Sequence, residues 1–356
     1  MRRDILEIDT SHGNDAWLQD ISLLDVESIR LLISGGSVID WQRLAFSDLE
    51  EVDRFLRLHQ CDQSTSFGRE RLRYVFNEAV SYLEEHLRLR FPKELRSPED
   101  VREVFVWASQ YGGFRRTQIL SCVILKLVHV IHHMEAADLK FKTPTSEEQL
   151  LASAHARILA TARTMQDAGL PIVSFYGSRK ARSSVITKLL AKKNSVAATI
   201  FDKLRFRIVV REPSDLIVVL GWMARHMFPF NYCIPGECHN NLLDPEDLNA
   251  LLDEDQLGRA QFTDETSLEE SGKNEFSGSS YRMINFIMDY PVPVAPAGGP
   301  AGFELGNVVF VMVEFQLLDE RTALLNEQGD NSHHLYKDRQ HEVVARRLKR
   351  GRPGKR

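Results

Sequence analysis

The sequence predicts an α/β (α+β) chain, in which an all-helical region over residues 1–168 precedes a mixed-sheet domain over 169–340 and a basic tail over 341–356. Three observations lead there. Up to residue 168 the apolar residues recur every three or four positions, as one face of a helix requires. After Gly169 that spacing shortens toward two and the apolar runs become β-branched. The later runs are separated by an acidic insertion over 243–278 and a Pro/Gly loop over 291–306, neither of which suits a regular element.

Within the helical region, residues 28–33 are apolar-rich and stop at Gly35-Gly36. Ser47-Asp48-Leu49-Glu50 has the form of a capping box opening a helix that carries Val52, Phe55, Leu56 and Leu58. Residues 69–89 place Leu72, Val75, Phe76, Val80, Leu83 and Leu87 at helical spacing. Ser97-Pro98-Glu99-Asp100 supplies a cap, a first-turn proline and first-turn acids before a helix over 101–111. Thr145 and Glu148 read as a further capping box, and the helix they start runs to Ala168 with Gly169 as its stop.

In the second region, residues 170–176 read as a short strand, Gly177-Ser178 as a turn, and 179–193 (RKARSSVITKLLAKK) as a cation-dense helix. A strand over 199–210 (TIFDKLRFRIVV), a capped amphipathic helix over 214–228 and a strand over 281–290 follow. Some helix is expected around 245–252 inside the acidic segment. The loop from 291 joins the 281–290 strand to a last one beginning at Val308 as a long hairpin, and the chain turns helical at about Asp319.

Composition narrows the function classes. A hydrophobic content of 43% is enough for a real core, and a net charge of -5 gives no overall pull toward nucleic acid or a membrane surface. The longest apolar run, 119–131, is broken by Lys126 and His129 and is too short to span a bilayer. MRRDILEID lacks the apolar stretch of a secretory signal, and four scattered cysteines suit reduced thiols, so a cytoplasmic protein with no membrane partner is expected. His129, His132 and His133 share part of a helix face near Glu135 and Asp138. No matching Glu-x-x-His or His-Asp pair occurs elsewhere, so they read as core or helix-end histidines, and the missing His-Asp dipeptide argues against a His-Asp phosphohydrolase. Cys233 with Cys238-His239 lacks the second pair that a zinc site needs.

The chemistry concentrates on two strands and one helix. Glu314 and Gln316 interrupt a β-branched run and project to one face, with Val313, Phe315 and Leu317 on the other. Asp202 lies early in the upstream strand, and a metal bridging phosphate oxygens needs hard carboxylates such as these two. Lys180, Ser184 and Lys188, four apart, would line one helix face suited to a polyphosphate.

Taken in order, these segments resemble the synthetase domain of RelA/SpoT-type alarmone synthetases, a branch of the nucleotidyltransferase-like folds, over nearly half the chain. The basic helix with Lys180, Ser184, Lys188 and Lys192-Lys193 resembles the family's ATP-phosphate motif. The strand with Asp202 and Arg207 resembles its Asp-leading strand, and residues 215–221 the helix after it. Tyr281 matches the tyrosine on which the family stacks the acceptor guanine, Val313-Glu314-Phe315-Gln316 matches its Glu-x-Gln strand, and Glu327, Gly329, His333 and Tyr336-Lys337 match its closing helix. Departures fall mostly on the acceptor side. The family's motif arginine falls on Ser178, with Arg179 or Arg182 as substitutes, its histidine after the tyrosine is Asn285, its arginine after Glu-x-Gln is Leu318, and its basic stretch before the tyrosine is an acidic insertion with Lys273 the nearby cation.

The resemblance implies pyrophosphate transfer from ATP to a ribose 3′-hydroxyl, with Mg2+ on Asp202 and Glu314 and with Glu314 also accepting the proton. Lys180, Ser184, Lys188, Arg179 and Arg207 would hold the donor phosphates, and Tyr281, Gln316, Asn285 and His333 the acceptor. That acceptor is a guanosine nucleotide or an RNA 3′ end such as tRNA, and self-association is left open. Two other classes fit the same residues: a nucleotide-binding regulator that keeps the fold without turnover, and another nucleotidyltransferase using Gly177-Ser178 as its motif start. The tail over 346–356 (RRLKRGRPGKR) contains Arg350-Gly351-Arg352-Pro353, which resembles an AT-hook, against a bland reading as solvated charge or a third reading as a clamp on an RNA acceptor.

Overall fold

Helix α1 (Leu23–Ser34) is opened by a reciprocal cap in which the Asp25 N–H donates to the Ser22 hydroxyl and the Ser22 N–H to the Asp25 carboxylate, and it is closed by Gly35 at φ 68°. The structure is a computed structural model describing residues 4–7, 21–35, 44–110, 115–180, 182–191, 203–252, 256, 281–295, 301–327, 341–346 and 348–349, with backbone alone at 4–7, 182, 188, 191, 245, 301 and 302. Further helices are α2 (Leu49–Leu58), α3 (Ser66–Leu87), α4 (Lys93–Arg96), α5 (Glu103–Ser109), α6 (Arg115–Lys142) and α7 (Glu147–Asp167).

Beyond Gly169, which has φ 69°, come β2 (Ile172–Arg179), α8 (Arg182–Ala191), β3 (Leu204–Val210) and α9 (Asp215–His226). They are followed by β4 (His239–Asn240), β5 (Ile284–Pro293), α10 (Ala301–Glu304), β6 (Val308–Asp319) and α11 (Glu320–Glu327). With β1 (Asp4–Glu7) the strands form one sheet in the order β1-β2-β3-β6-β5-β4, in which β3 and β6 run parallel and the other pairs antiparallel. The α+β architecture expected from the change of period is therefore present, joined by a strand at Asp4–Glu7 that no apolar alternation announces.

One face of the sheet is apolar because alternate residues of each strand are. Phe206, Phe315 and Phe286 from three adjacent strands stack with centroids 5.7 and 5.6 Å apart, Phe228 closes over the last two, and His155 of α7 stacks on Phe206 at 5.5 Å. Each such ring removed from water contributes about 1.5–3 kcal/mol. The core runs unbroken from this face into the helical region, and Asp25 of α1 also forms an ion pair with Arg225 of α9. Helix α6 is long and apolar enough by length and composition to cross a membrane, longer than the interrupted run at its centre suggests. Here it packs on α3, α5 and β6.

Several boundaries differ from expectation. Gly177 and Ser178 lie inside β2, where they pair with Phe206 and Arg205 rather than forming a turn. A Cβ at Gly177 would meet His155 Nε2 and Phe206 Cε1 at 2.7 Å, so the glycine serves close packing. Helix α8 consequently starts at Arg182, and Lys180 precedes it, its N–H donating to the Lys203 carbonyl at 3.0 Å. Both expected capping boxes are displaced by one residue. Asp48 caps α2 while the Ser47 N–H donates to Glu51, and Ser146 with Gln149 forms the box of α7. Pro291 and Pro293, expected in a loop, extend β5. They sit beyond Met288, which Cys233 bridges on that edge, and no described residue pairs with β5 there past it, so their missing N–H groups break no described ladder on that side. The helix expected over 101–111 is shortened to Glu103–Ser109, and that around 245–252 is a 3-10 helix over Pro245–Leu251.

Candidate active site

The second face of the sheet is polar at one end, and strand register explains why. Tyr176, Arg207, Gln316, Asn285 and His239 are successive cross-strand partners, and Ser178, Arg205, Glu314 and Ile287 form the next row. Cross-strand partners share a face, so the alternation seen in single strands becomes two polar rows across the sheet.

Side chains link the rows. The Arg205 Nε donates to Glu314 Oε2 at 2.7 Å, and the Gln316 amide donates to Glu314 Oε1 at 2.9 Å. Arg207 donates to Gln316 Oε1 from Nε at 3.2 Å and from Nη2 at 3.0 Å, and Nη2 also donates to the Tyr281 hydroxyl at 3.2 Å. Glu314 and Gln316 are 6% and 3% exposed, whereas Arg205 and Arg207 are half-buried, so the amide and carboxylate form the floor and the guanidinium groups the rim. Among the described residues two guanidinium groups face one carboxylate here, a rim that suits phosphate oxygens.

Tyr281 lies just before β5, and the segment is pinned where Asn326 of α11 accepts from the Arg282 N–H at 3.1 Å and donates to the Arg282 carbonyl at 2.6 Å. The buried Asn285 Oδ1 has no hydrogen-bond partner among the described residues.

Glu314, Gln316, Arg207, Tyr281 and Asn285 are therefore brought together on one face. Lys180 follows β2, two residues past Ser178. With about 3.4 Å per residue along a strand and about 4.8 Å between strands, its Cα stands roughly 12 Å from that of Glu314. Arg179 is exposed at the end of β2 and Ser184 is half-buried on α8. Asp202, His333 and the side chain of Lys188 lie outside the described residues, as do Lys192-Lys193, Lys273, Gly329, Tyr336-Lys337 and the Arg350–Pro353 core of the tail. Arg205 was not singled out, although LRFRIVV places it two residues before Arg207 on the same strand face.

A divalent ion fits this donor set in part. Glu314 offers hard oxygens on the polar face, but Arg205 and Gln316 occupy both, and among the described residues no group of three His, Cys, Asp or Glu could hold a metal. The histidines of α6 serve packing. His133 stacks on Phe310 at 4.4 Å and His132 meets the same ring edge-on, and burial pushes His129 and His133 down to about 4 and about 3. His133 is thus neutral at pH 7, and its 3.6 Å contact with Asp289 is not an ion pair there. Cys233 and Cys238 are buried, with the Cys238 thiol donating to the Leu32 carbonyl at 2.7 Å.

No family model matches this chain, and no curated protein matches it. Among solved structures it is similar to the small alarmone synthetase 1 from Bacillus subtilis, at 12% identity and a TM-score of 0.29 over 62% of this chain and 88% of that one. It is also similar to that synthetase bound to its product pppGpp, at 13% identity and a TM-score of 0.30 over 59% of this chain and 92% of that one. The small alarmone synthetase 2 from Bacillus subtilis gives 16% identity and a TM-score of 0.29 over 57% and 95%. The overlap is slight, and the chemistry of the two polar rows has to carry the functional reading.

Proposed function

We propose that the polar rows are the nucleotide site of a cytoplasmic ATP-dependent pyrophosphotransferase acting on a ribose 3′-hydroxyl. The observation that carries the reading is the chain Arg205–Glu314–Gln316–Arg207–Tyr281, which sets a carboxylate, two guanidinium groups and an aromatic ring on one sheet face. In the reaction, the 3′-oxygen of the acceptor attacks the β-phosphorus of ATP and the bond from that phosphorus to the α,β-bridging oxygen breaks. AMP leaves, and the acceptor gains a pyrophosphate ester and loses one proton.

Glu314, held in place by Arg205 and Gln316, accepts that proton. Arg205 and Arg207 meet the phosphate charge that develops, with Lys180, Arg179, Ser184 and Lys188 gripping the donor triphosphate from the β2–α8 side. Tyr281, fixed through its hydroxyl by Arg207, stacks the acceptor base, and Asn285 with His333 reads its polar edge. A magnesium ion carried in with ATP would be held by Glu314 with Asp202 and would shield the transferring phosphates.

A guanosine di- or triphosphate is the proposed acceptor. The acidic insertion before Tyr281 favours testing a tRNA 3′ end beside it, since an acceptor gripped outside that segment needs no cations there. Pure protein is incubated with ATP and GDP, GTP or tRNA, and AMP is quantified. Acceptor-dependent AMP release supports the reading, and Asp202→Asn is expected to lower it at least about a hundredfold. ATP binding with no AMP release from any acceptor would mark the chain as a nucleotide-binding regulator.

A further inference from the structure

Outside the polar rows, α2, α3, α5, α6, the segment after α9 and the residues leading into β6 line a cavity of about 100 Å3. Most of its wall is apolar, with Phe55, Leu72, Val75, Phe105, Leu125 and Val128 facing it. One end is different. The Tyr232 hydroxyl, His132 Nε2 and Arg71 Nε are buried there and find no hydrogen-bond partner among the described residues. Buried polar atoms are nearly always paired, so three unpaired ones at one cavity end point to a missing occupant.

The electrical character of that end is also legible. The Arg71 guanidinium is paired with Glu135 and donates from Nη1 to the Glu304 carbonyl at 2.7 Å, so its charge is already answered. Burial pushes His59 down to about 3 and His129 to about 4, leaving both neutral at pH 7. Apart from Lys126 at its mouth, the cavity thus offers dipoles and no net charge. Its enclosed part is smaller than the apolar cavity of about 150 Å3 that takes up benzene, but it opens at Leu44, Gln60 and Lys126, so one ring fits with an edge in the mouth and nothing larger does.

We propose that this cavity binds a small uncharged molecule, one ring in size and carrying a single hydroxyl or amide. Its body lies against Phe55, Leu72 and Val75 and its polar end on Tyr232 and His132. Leu44, Gln60 and Lys126 also line the cavity and are partly exposed, so they mark the way in. Water is a poor alternative, because it would complete the polar end and leave the apolar remainder empty.

Phenol is the probe and toluene the control without a hydroxyl, each titrated into the full chain and followed by melting and by ligand-observed NMR. Phenol should bind at least about fivefold tighter than toluene, the worth of one hydrogen bond. Tyr232→Phe should bring phenol to the level of toluene while melting no lower than the parent without ligand, since it removes an unpaired buried hydroxyl. Val75→Trp should abolish binding of both, and Leu72→Phe, which fills the same wall with less strain, is read in the same way if that variant does not fold. Equal affinity for phenol and toluene, no binding of either at about 10 mM, or phenol binding that survives a folded cavity-filling variant would overturn the proposal.

Discussion

Glu314→Gln separates the role of the polar rows from their contribution to the fold. The change keeps side-chain volume but removes one charge and one acceptor oxygen. In the parent, Arg205 Nε and the Gln316 amide each own one carboxylate oxygen, at 2.7 and 2.9 Å. A glutamine can satisfy one of these donors and must present its own NH2 to the other. The loss is a charge-assisted hydrogen bond worth roughly 1.5–3 kcal/mol, reduced because the Arg205 side chain is 34% exposed and can turn to water. A net cost of about 2 kcal/mol follows, equivalent to a fall of about 3 °C in melting temperature for a chain of this size. The cost in turnover is of another order, at least about a hundredfold if the carboxylate touches the reacting hydroxyl. Circular dichroism with melting, set beside AMP release, reads both quantities from one preparation. A folded variant with near-normal product formation would refute the role given to Glu314.

Three further outcomes are expected. Burial holds His59, His129 and His133 at about 3 to 4, below the 6.5 they regain on unfolding, and lowers His132 as well, so the unfolded chain binds more protons below pH 6.5 and stability falls with pH. Asp289, raised by burial to about 6, acts oppositely between pH 6 and 3.8; the balance is up to roughly 4 kcal/mol lost per pH unit, and Asp289→Asn should stabilise at pH 7 and steepen the acid limb in denaturant titrations. Gly177→Ala should cost about 1–3 kcal/mol because its methyl group meets His155 and Phe206 at 2.7 Å, and an unchanged melting temperature would remove the packing explanation. For the tail, a chain ending at Arg339 is compared with the full chain: an AT-hook loses salt-sensitive A·T-preferring duplex binding, an acceptor clamp loses transfer to RNA alone, and no change in either leaves only solvated charge.

Much of this was legible because period is a local property. Gly35 and Gly169 stop their helices as expected, and the alternation around Glu314 and Gln316 placed both on one face. What escaped was set by neighbours distant in sequence. Gly177 reads as a turn until His155 and Phe206 are seen to press on it, and Arg205 is an unremarked cation until register sets it opposite Glu314. Pro291 and Pro293 read as loop because the sequence does not reveal where described pairing on that edge of β5 ends. The Asp4–Glu7 strand has no apolar signature of its own, and it is pairing with β2 that makes it a strand. The cavity beside Tyr232 was invisible for the same reason, since its walls come from Leu44 to Val308 along the chain.

The most direct test of pyrophosphate transfer follows the β-phosphate of ATP. Full-length protein is supplied with ATP labelled at that phosphorus and with each acceptor in turn, and the products are resolved by chromatography. Label should appear on the acceptor, covalently bound at the ribose 3′-oxygen, in amounts equal to the AMP formed, and should be absent when Glu314 is replaced by Gln. Label recovered as free pyrophosphate, with adenylate on the acceptor, would instead make the protein a nucleotidyltransferase and contradict the direction of transfer proposed for this site.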